Sequence, residues 1–412
     1  MSIFVVIYFD FEFSNAIINV TKCFLGGEIM KAFSGFSTNA DAYLAGVEAA
    51  KQVSAPGLKV AFVYASCDYD LKKVIKGVSE KLKCPIIGNT SFTGVIMQGG
   101  YIGGDKPFVG IMALAGKDVE VGVAIAKRSA YASAREAGIA VAKKALLNKT
   151  APNQVYMVAS PTEEEQFLKG ISEVIGRVPT FGGSCADNEI AGKWSLYTDK
   201  GITSEGVAVA FIYSKAEFKN EFTGAYHETK DMGIITEIKG RRTLVSIDGV
   251  PAVKKYAKWR GMKEAKLAGS ALLSETILSP LGVKDRLGDL VAIRHPMFAN
   301  DDLSMNIGAD LAVGTAVVRM ECTQDELIKS VKTTLQALKK KVNGEIACYH
   351  LVHCGGRRAG IGDRIKEVYK AIKAVVGTTP FIMEFTFGEY GYVDDGNNTT
   401  GGLMLSFSAY AN

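Results

Sequence analysis

The chain has no apolar run approaching the ~20 residues that a membrane-spanning helix needs. Its first 13 residues are apolar but include Asp10 and Glu12, lack a basic start and show no small-residue cleavage site, so they make a poor signal peptide. The seven cysteines have no regular spacing, which is untypical of a disulfide framework and favours a reducing compartment. These absences predict a cytoplasmic protein with no membrane association.

Two other patterns are missing. The net charge of +5 is spread along the chain without a Lys/Arg stripe interleaved with aromatic residues, which argues against a nucleic-acid partner. The sequence contains no GxxxxGK[ST] phosphate loop, no HExxH helix and no GxSxG nucleophile turn. We therefore predict that the protein is not an enzyme, with no catalytic residue and no metal.

What the chain does contain is an internal repeat. A unit of strand, polar loop, helix and proline-led strand occurs twice, and each copy ends in a Gly/Ser turn. The strand-end serine, Ser66 or Ser160, precedes the proline, Pro85 or Pro179, by 19 residues, and the copies are 94 residues apart. We therefore expect residues 61–66 and 155–160 to be equivalent, buried central strands.

A third, looser copy follows, in which Cys354 takes the serine position and stands 26 residues before Pro380. The period is too long for a solenoid, and the strand segments are apolar and β-branched. We predict an α+β fold of duplicated strand-helix-strand units that form mixed sheets flanked by helices. The 412 residues suffice for two domains, which we place at 30–240 and 241–412.

Residues 1–29 are predicted to be an extension that is not translated in the native protein. Met30 opens a strand-like segment, and the codons of Gly26-Gly27-Glu28 just before it can spell a purine-rich ribosome-binding site. The intact mass of native protein tests a start at Met30.

Seven segments, in this order and spacing, resemble motifs of the FIST family, whose N-terminal and C-terminal domains occur in tandem in prokaryotic signalling proteins. The resemblance covers about residues 30–410, and Asn89 and Cys185 depart from the residues usual in the family's turns. The segments are Gly35–Thr38, Phe62–Asp70, Gly88–Gly94, Gly182–Asp187, Asp248–Tyr256, Cys354–Arg358 and Phe387–Gly391.

The resemblance implies a sensory protein that binds a small molecule, with amino acids as commonly proposed ligands. Because no fused output domain is evident, we expect the protein to act in trans on a signalling protein such as a histidine kinase, a cyclase or a chemotaxis receptor. Some family members bind haem and report nitric oxide, so a haem sensor is an alternative. His227 is then the candidate ligand, but its polar neighbours are typical of a solvated surface, and we expect a colourless protein without a cofactor.

Candidate ligand-binding residues lie in the turns that follow the strands. Asn89, Ser91, Ser184 and Asp187 belong to Gly/Ser turns, where backbone N–H groups and hydroxyls can converge on an anionic group. The alternative is that these are simply tight turns that need positive φ angles.

The second set of candidates is Cys354, Arg357, Arg358 and Glu389. A guanidinium suits a carboxylate and Glu389 suits an α-amino group, so we place the pocket between the Cys354–Arg358 segment and the Gly388–Glu389 turn. The extra residues of the third copy are rich in glycine, and we expect them to form a flexible loop. An internal Arg–Glu pair is the alternative.

Two other chemistries remain open at this strand. Cys354 could be a nucleophile activated by Arg357, which would make the protein a cysteine-dependent enzyme. Cys348, His350 and Cys354 alternate onto one face and could hold a metal, but their spacing matches no zinc pattern and cysteine is often simply buried.

Overall fold

The computed structural model describes residues 30–284, 290–392 and 397–412. The predicted start of translation at Met30 concerns residues 1–29, which lie outside the described residues. The chain forms a mixed α+β fold of several sheets with flanking helices, as predicted. No helix in these ranges is long and apolar enough to cross a membrane.

The first repeat, unit 1, follows the order strand, helix, strand, helix, strand, hairpin, strand. Both of its helices begin after an aspartate whose side chain accepts a backbone amide, from Leu44 to Asp41 and from Lys72 to Asp70. Its elements are β1 (Lys31–Ser37), α1 (Ala42–Val53), β2 (Leu58–Ala65), α2 (Leu71–Lys81), β3 (Ile86–Thr90), β4 (Gly94–Met97), β5 (Gly100–Gly103) and β6 (Val109–Ala115).

Unit 2 repeats the same order. Its elements are β7 (Glu120–Lys127), α3 (Ala134–Ala145), β8 (Gln154–Ala159), α4 (Glu164–Ile175), β9 (Thr180–Ser184), β10 (Leu196–Thr198), β11 (Gly201–Thr203) and β12 (Gly206–Tyr213). The last residue of β2, Ala65, is opposite Thr90 of the parallel β3, and Ala159 of β8 is opposite Ser184 of β9. The predicted equivalence of the two central, buried strands is confirmed.

Unit 3 is interrupted after its first strand by an inserted domain, residues 224–322. The elements up to the end of the insertion are β13 (Glu217–Thr223), β14 (His227–Lys239), β15 (Thr243–Ile247), β16 (Val250–Pro251), α5 (Ala252–Arg260), α6 (Ala271–Thr276), β17 (Leu281–Lys284), β18 (Leu290–Arg294), β19 (Pro296–Ala299), β20 (Met305–Ile307) and β21 (Ala316–Glu321). Unit 3 then resumes with α7 (Gln324–Lys341), β22 (Ile346–Cys354), α8 (Gly355–Ile361), α9 (Ile365–Val376), β23 (Phe381–Thr386), β24 (Glu389–Tyr392), β25 (Asn398–Gly401) and β26 (Leu405–Ala411).

Each unit builds a six-stranded sheet that is completed by a hairpin from another unit. The strand orders are β1-β6-β2-β3-β10-β11, β7-β12-β8-β9-β24-β25 and β13-β26-β22-β23-β4-β5. Unit 1 therefore receives the hairpin of unit 2, unit 2 that of unit 3, and unit 3 that of unit 1. The inserted domain has its own sheet, in the order β18-β17-β21-β14-β15-β20-β19 with β16 paired to β15.

The helices of units 1 and 2 cross at glycines. A Cβ on Gly46 would lie 2.4 Å from the Val74 carbonyl oxygen, and one on Gly138 would lie 2.3 Å from that of Phe167. Glycine is needed at these positions because the backbones of α1 and α2, and of α3 and α4, approach so closely. The two helix pairs can therefore be compared residue by residue.

Some local predictions need correction. Helix α5 begins at Ala252, directly after Pro251, and Gly261 ends it in a left-handed conformation. The glycine-rich segment after Cys354 is not a flexible loop but the helix α8, because its Arg357 and Ile361 side chains are buried against the protein. The domain boundary placed between residues 240 and 241 falls in the turn between β14 and β15 and stays a prediction.

Candidate functional site

The central strands of the three units meet at one axis. Phe62, Tyr156 and His350 each stand four residues before the strand-end position, and their rings touch one another. The ring centroids are 5.2 Å apart for Phe62 and Tyr156, 4.6 Å for Phe62 and His350, and 5.0 Å for Tyr156 and His350. The repeat thus produces a pseudo-threefold packing of rings. We call these three rings and the polar groups beside them the axial core.

A buried carboxyl group, Glu384, lies in the axial core. Its Oε2 accepts from Asn89 Nδ2 at 2.8 Å, and its Oε1 is 2.9 Å from the Tyr156 hydroxyl. The Tyr64 hydroxyl extends the network to Tyr156 and to Nε2 of His350. Burial raises the pKa of Glu384 to about 7 and lowers the pKa of His350 to about 3. Asn89, a predicted ligand residue, therefore serves this internal network.

The other predicted turn residues also bond within the protein. Ser91 Oγ accepts from Phe385 N at 2.9 Å and lies 2.7 Å from the Gly94 carbonyl oxygen, which ties the unit 1 turn to β23. Ser184 Oγ lies 2.8 Å from both Glu164 Oε1 and the Tyr390 hydroxyl.

Asp187 organises the loop that follows β9. Its carboxylate accepts the backbone amides of Glu189, Ala191 and Lys193, at distances down to 2.7 Å. Ile190 within this loop has a φ of +57° and remains 45% exposed, which is unusual for a β-branched, apolar residue. Strain of this kind collects at functional sites, and Ile190 stands beside the cavity described next.

A cavity of about 60 Å³ lies where the inserted domain covers the ends of the unit strands. We call it the axial cavity. It receives side chains from unit 1, from the Asp187 loop of unit 2, from unit 3 and from the inserted domain. Its lining consists of Phe92, Ile190, Leu273, His295, Met297, Gly308, Cys354, Gly355, Gly356, Ala359, Phe387 and Gly402.

The two polar side chains of the axial cavity are uncharged at neutral pH. Burial lowers the pKa of His295 to about 4, and its Nε2 is 3.2 Å from the Leu273 carbonyl oxygen, which requires Nε2 to donate and leaves Nδ1 as an acceptor. Burial and the nearby Glu389 raise the pKa of Cys354 well above its usual range, so it remains a thiol. A protonated, buried thiol is a poor nucleophile.

The predicted charged residues stand behind the cavity wall. Arg357 is fully buried and donates to the Leu327 carbonyl oxygen at 3.0 Å and to Ser330 Oγ at 2.6 Å. Arg358 lies over the Tyr101 ring, 4.9 Å from its centroid.

Glu389 lies close to the thiol of Cys354. It accepts from Thr386 Oγ1 at 2.9 Å and from Met404 N at 3.0 Å, and the neighbouring Leu403 N donates to Cys354 Sγ. Burial raises the pKa of Glu389 to about 8, which favours a neutral carboxyl at pH 7. The structure thus brings Cys354 and Glu389 together, while Arg357 and Arg358 bond to other groups.

Sequence reasoning missed His295, Met297 and Ile190. The first two come from the inserted domain, which carries no copy of the repeat, so no spacing pointed to them. Phe387 is the first residue of the recognised segment Phe387–Gly391, so its position in that motif could have suggested it.

The candidate haem ligand, His227, lies apart from the candidate metal ligands on β22. His227 is exposed and its Nε2 is 2.6 Å from Glu326 Oε1, whereas His350 is packed in the axial core. Within the described ranges no three His, Cys, Asp or Glu side chains are grouped to hold a metal ion.

Two family models match this chain. The FIST N domain matches residues 59–250 and the FIST C domain matches residues 252–392, which together make up most of the chain. Both are sensory domains and are usually non-catalytic. The chain belongs to the FIST family, with an N domain followed by a C domain, as the sequence motifs predicted.

Other comparisons are weaker. No curated protein matches the chain. A cyanuric acid hydrolase from A. caulinodans is 9% identical with a TM-score of 0.34, and covers 93% of this chain and 100% of its own. Phosphoribosylformylglycinamidine synthase II from Thermotoga maritima is 10% identical with a TM-score of 0.22, and covers 93% of this chain and 73% of its own. Likeness at these TM-scores supports no argument about activity.

Proposed function

We propose that this protein is a small-ligand sensor that takes an uncharged ligand in the axial cavity and acts in trans on a signalling partner. The observation that carries the proposal is the convergence of side chains from all three units and the inserted domain on one cavity. Ligand pockets are typically apolar with a few polar groups, which is the composition found here.

In this proposal, the residues that line the axial cavity determine which charge the ligand can carry. His295 is neutral and Cys354 is a thiol, so a charged group would enter without a counter-charge. A cavity of about 60 Å³ is about twice one water's share of the liquid, so the ligand, or the part that enters, is small. The amino acid that the family resemblance suggested would need Arg357 and Glu389 to leave their present partners.

The proposal is tested by thermal unfolding in the presence of ethanol and acetonitrile, which are small and uncharged, and of the standard amino acids. Ala359 lines the cavity and is exposed, so Ala359→Leu should fill its mouth without disturbing the core. Ala374→Leu, on an exposed face of α9, is the matched control. An uncharged compound at a hundredfold excess over its Kd should stabilise the wild type by about 2.7 kcal/mol.

We expect Ala359→Leu to lose this stabilisation and Ala374→Leu to keep it. Stabilisation by amino acids alone, abolished in Glu389→Gln, would contradict the uncharged ligand and favour the pocket predicted around Arg357 and Glu389. Native mass spectrometry of freshly purified protein then identifies a bound compound directly. Recovery of a kinase, cyclase or chemotaxis receptor with the wild type, changed by that compound, tests action in trans.

A further inference from the structure

A second recess lies against unit 2, and none of its lining residues lines the axial cavity. It has a volume of about 640 Å³ and lies between the helix pair α3–α4, strand β25 and the end of β18 in the inserted domain. Its charged side chains are Arg135, Lys169, Arg177, Arg294, Glu165 and Glu173. We propose that this cleft, which we call the cationic cleft, binds a small polyanion that carries phosphate or several carboxylates.

The carboxylates of the cleft are already engaged. Glu173 Oε1 accepts from Arg135 Nε at 2.5 Å. Glu165 accepts from Arg242 at 2.6 Å, from Asp310 N at 2.9 Å and from Thr400 Oγ1 at 2.7 Å. Within the described residues neither carboxylate is hydrogen-bonded to Lys169, Arg177 or Arg294, although the charge of Glu165 acts on Arg294.

Three cations are left without a hydrogen-bonded carboxylate. Lys169 and Arg177 are exposed and form no ion pair with any residue in the described parts of the chain. Arg294 is buried at the wall of the cleft and donates only to backbone carbonyls, those of Asp310 at 3.1 Å, Thr400 at 3.0 Å and Ile293 at 3.4 Å, within the same ranges. Burial of this guanidinium is costly, the charges of Glu165 and Asp310 offset part of the cost, and an anion in the cleft would offset more of it.

The helix pair α1–α2 of unit 1 can be compared with the pair α3–α4 of unit 2, which lines the cationic cleft. Lys76 and Lys169 each precede a helix-crossing glycine by one residue, and Tyr43 occupies the position of Arg135. In unit 1, Tyr43 bonds to Glu80 at 2.6 Å and its ring lies under the Lys76 ammonium at 5.9 Å. In unit 2, Arg135 replaces the tyrosine and pairs with Glu173, which leaves Lys169 without a carboxylate partner in the described residues.

The size and chemistry of the cleft define the ligand. A volume of about 640 Å³ is typical of sites for small organic molecules. A guanidinium binds phosphate and carboxylate alike through paired N–H groups. Ser172 and Thr399 in the lining add polar groups that suit hydroxyls. A phosphorylated or polycarboxylate small molecule fits these features.

Isothermal titration calorimetry of the full chain with pyrophosphate and with citrate tests the proposal. We expect saturable binding of at least one probe, weakened at least about tenfold in Lys169→Gln/Arg177→Gln because two charge-assisted contacts are lost. Both residues are exposed, so the variant should fold. Lys73→Gln/Lys76→Gln removes the same charge from the exposed face of α2 and should bind like the wild type.

Binding of pyrophosphate alone assigns a phosphate ligand, and binding of citrate alone assigns a polycarboxylate. Absence of binding for both probes would overturn the proposal. An equal loss of affinity in the α2 control would also overturn it, because attraction by net charge would then explain the binding. Since Ala359 is not part of this cleft, Ala359→Leu should leave the titration unchanged, and the outcome is separate from that of the axial cavity.

Discussion

The axial core and the axial cavity contrast two neighbouring regions of the same fold. In the core, equivalent positions of the three units carry Phe62, Tyr156 and His350, and their rings close the space between the sheets. At the cavity, the strands end in unequal turns, and the inserted domain supplies His295 and Met297. The comparison teaches that repetition produces the closed core, whereas departure from repetition produces the opening.

The two regions also differ in how pH should affect them. The core holds a carboxyl, Glu384, whose pKa is raised to about 7, and the cavity holds an imidazole, His295, whose pKa is lowered to about 4. Both groups are neutral near pH 6, but they become charged in opposite directions. Stability measurements as a function of pH can therefore separate them.

The largest effect is expected for Glu384→Gln. The wild-type carboxyl keeps its proton up to about pH 7 when folded and loses it near 4.5 when unfolded, so its stabilisation is complete below pH 4.5 and is lost as pH rises through 7. Glutamine stays neutral at both pH values. The free energy of unfolding of the variant, relative to that of the wild type, should therefore rise by about 3 kcal/mol between pH 4 and pH 8. Urea unfolding of both proteins at pH 4 and at pH 8 measures this difference.

Glu120→Gln, at an exposed position, is the control for this prediction. A pH-independent difference between Glu384→Gln and the wild type would mean that Glu384 is ionised in the core, with its charge met by the Asn89 and Tyr156 contacts.

A smaller effect of opposite direction is expected for His295→Gln. The folded pKa of about 4 lies below the ordinary 6.5, so the stabilisation is present above pH 6.5 and is lost as pH falls through 4. The variant should gain about 2 kcal/mol relative to the wild type between pH 7 and pH 4, less than the full shift implies, because a cavity wall is more easily hydrated than the core. Urea unfolding again reports it, and the exposed His227→Gln is the control. If the stability difference between His295→Gln and the wild type is the same at pH 7 and pH 4, His295 can be charged in the cavity. Anionic ligands would then be possible.

The smallest effect concerns the reactivity of Cys354. Its thiol is buried and its pKa is raised, whereas Cys67 is partly exposed. We expect iodoacetamide to modify Cys354 at least about tenfold more slowly than Cys67, measured by mass spectrometry of the peptides. Faster modification of Cys354 would revive the cysteine-dependent enzyme as an alternative.

The repeat made much of the fold predictable. The spacing from Ser66 to Pro85 and from Ser160 to Pro179 reflects local connections, and these define units 1 and 2 correctly. The hairpin exchange was not predictable, because it pairs strands far apart in the chain, and no local pattern encodes such a partner.

The candidate site was harder to predict. A turn motif reports backbone conformation but not burial, so Asn89 and Ser184 could not be distinguished in advance from ligand contacts. The glycines after Cys354 suggested a flexible loop, but packing turned the segment into a helix and buried Arg357. Whether these residues bind a ligand stays a prediction.

The exchange of hairpins has a consequence for how the protein folds. Each of the three sheets contains two strands from another unit. The sheet of unit 1 needs only the hairpin of unit 2, but the sheets of units 2 and 3 are complete only after unit 3 has formed. A nascent chain that ends at Tyr213 would lack β24 and β25, leaving one side of β9 unpaired, while β4 and β5 would have no β23 to join. Unpaired strand edges promote aggregation. The sheets of units 2 and 3 should therefore be completed only when synthesis is nearly finished, whereas the sheet of unit 1 can be completed earlier.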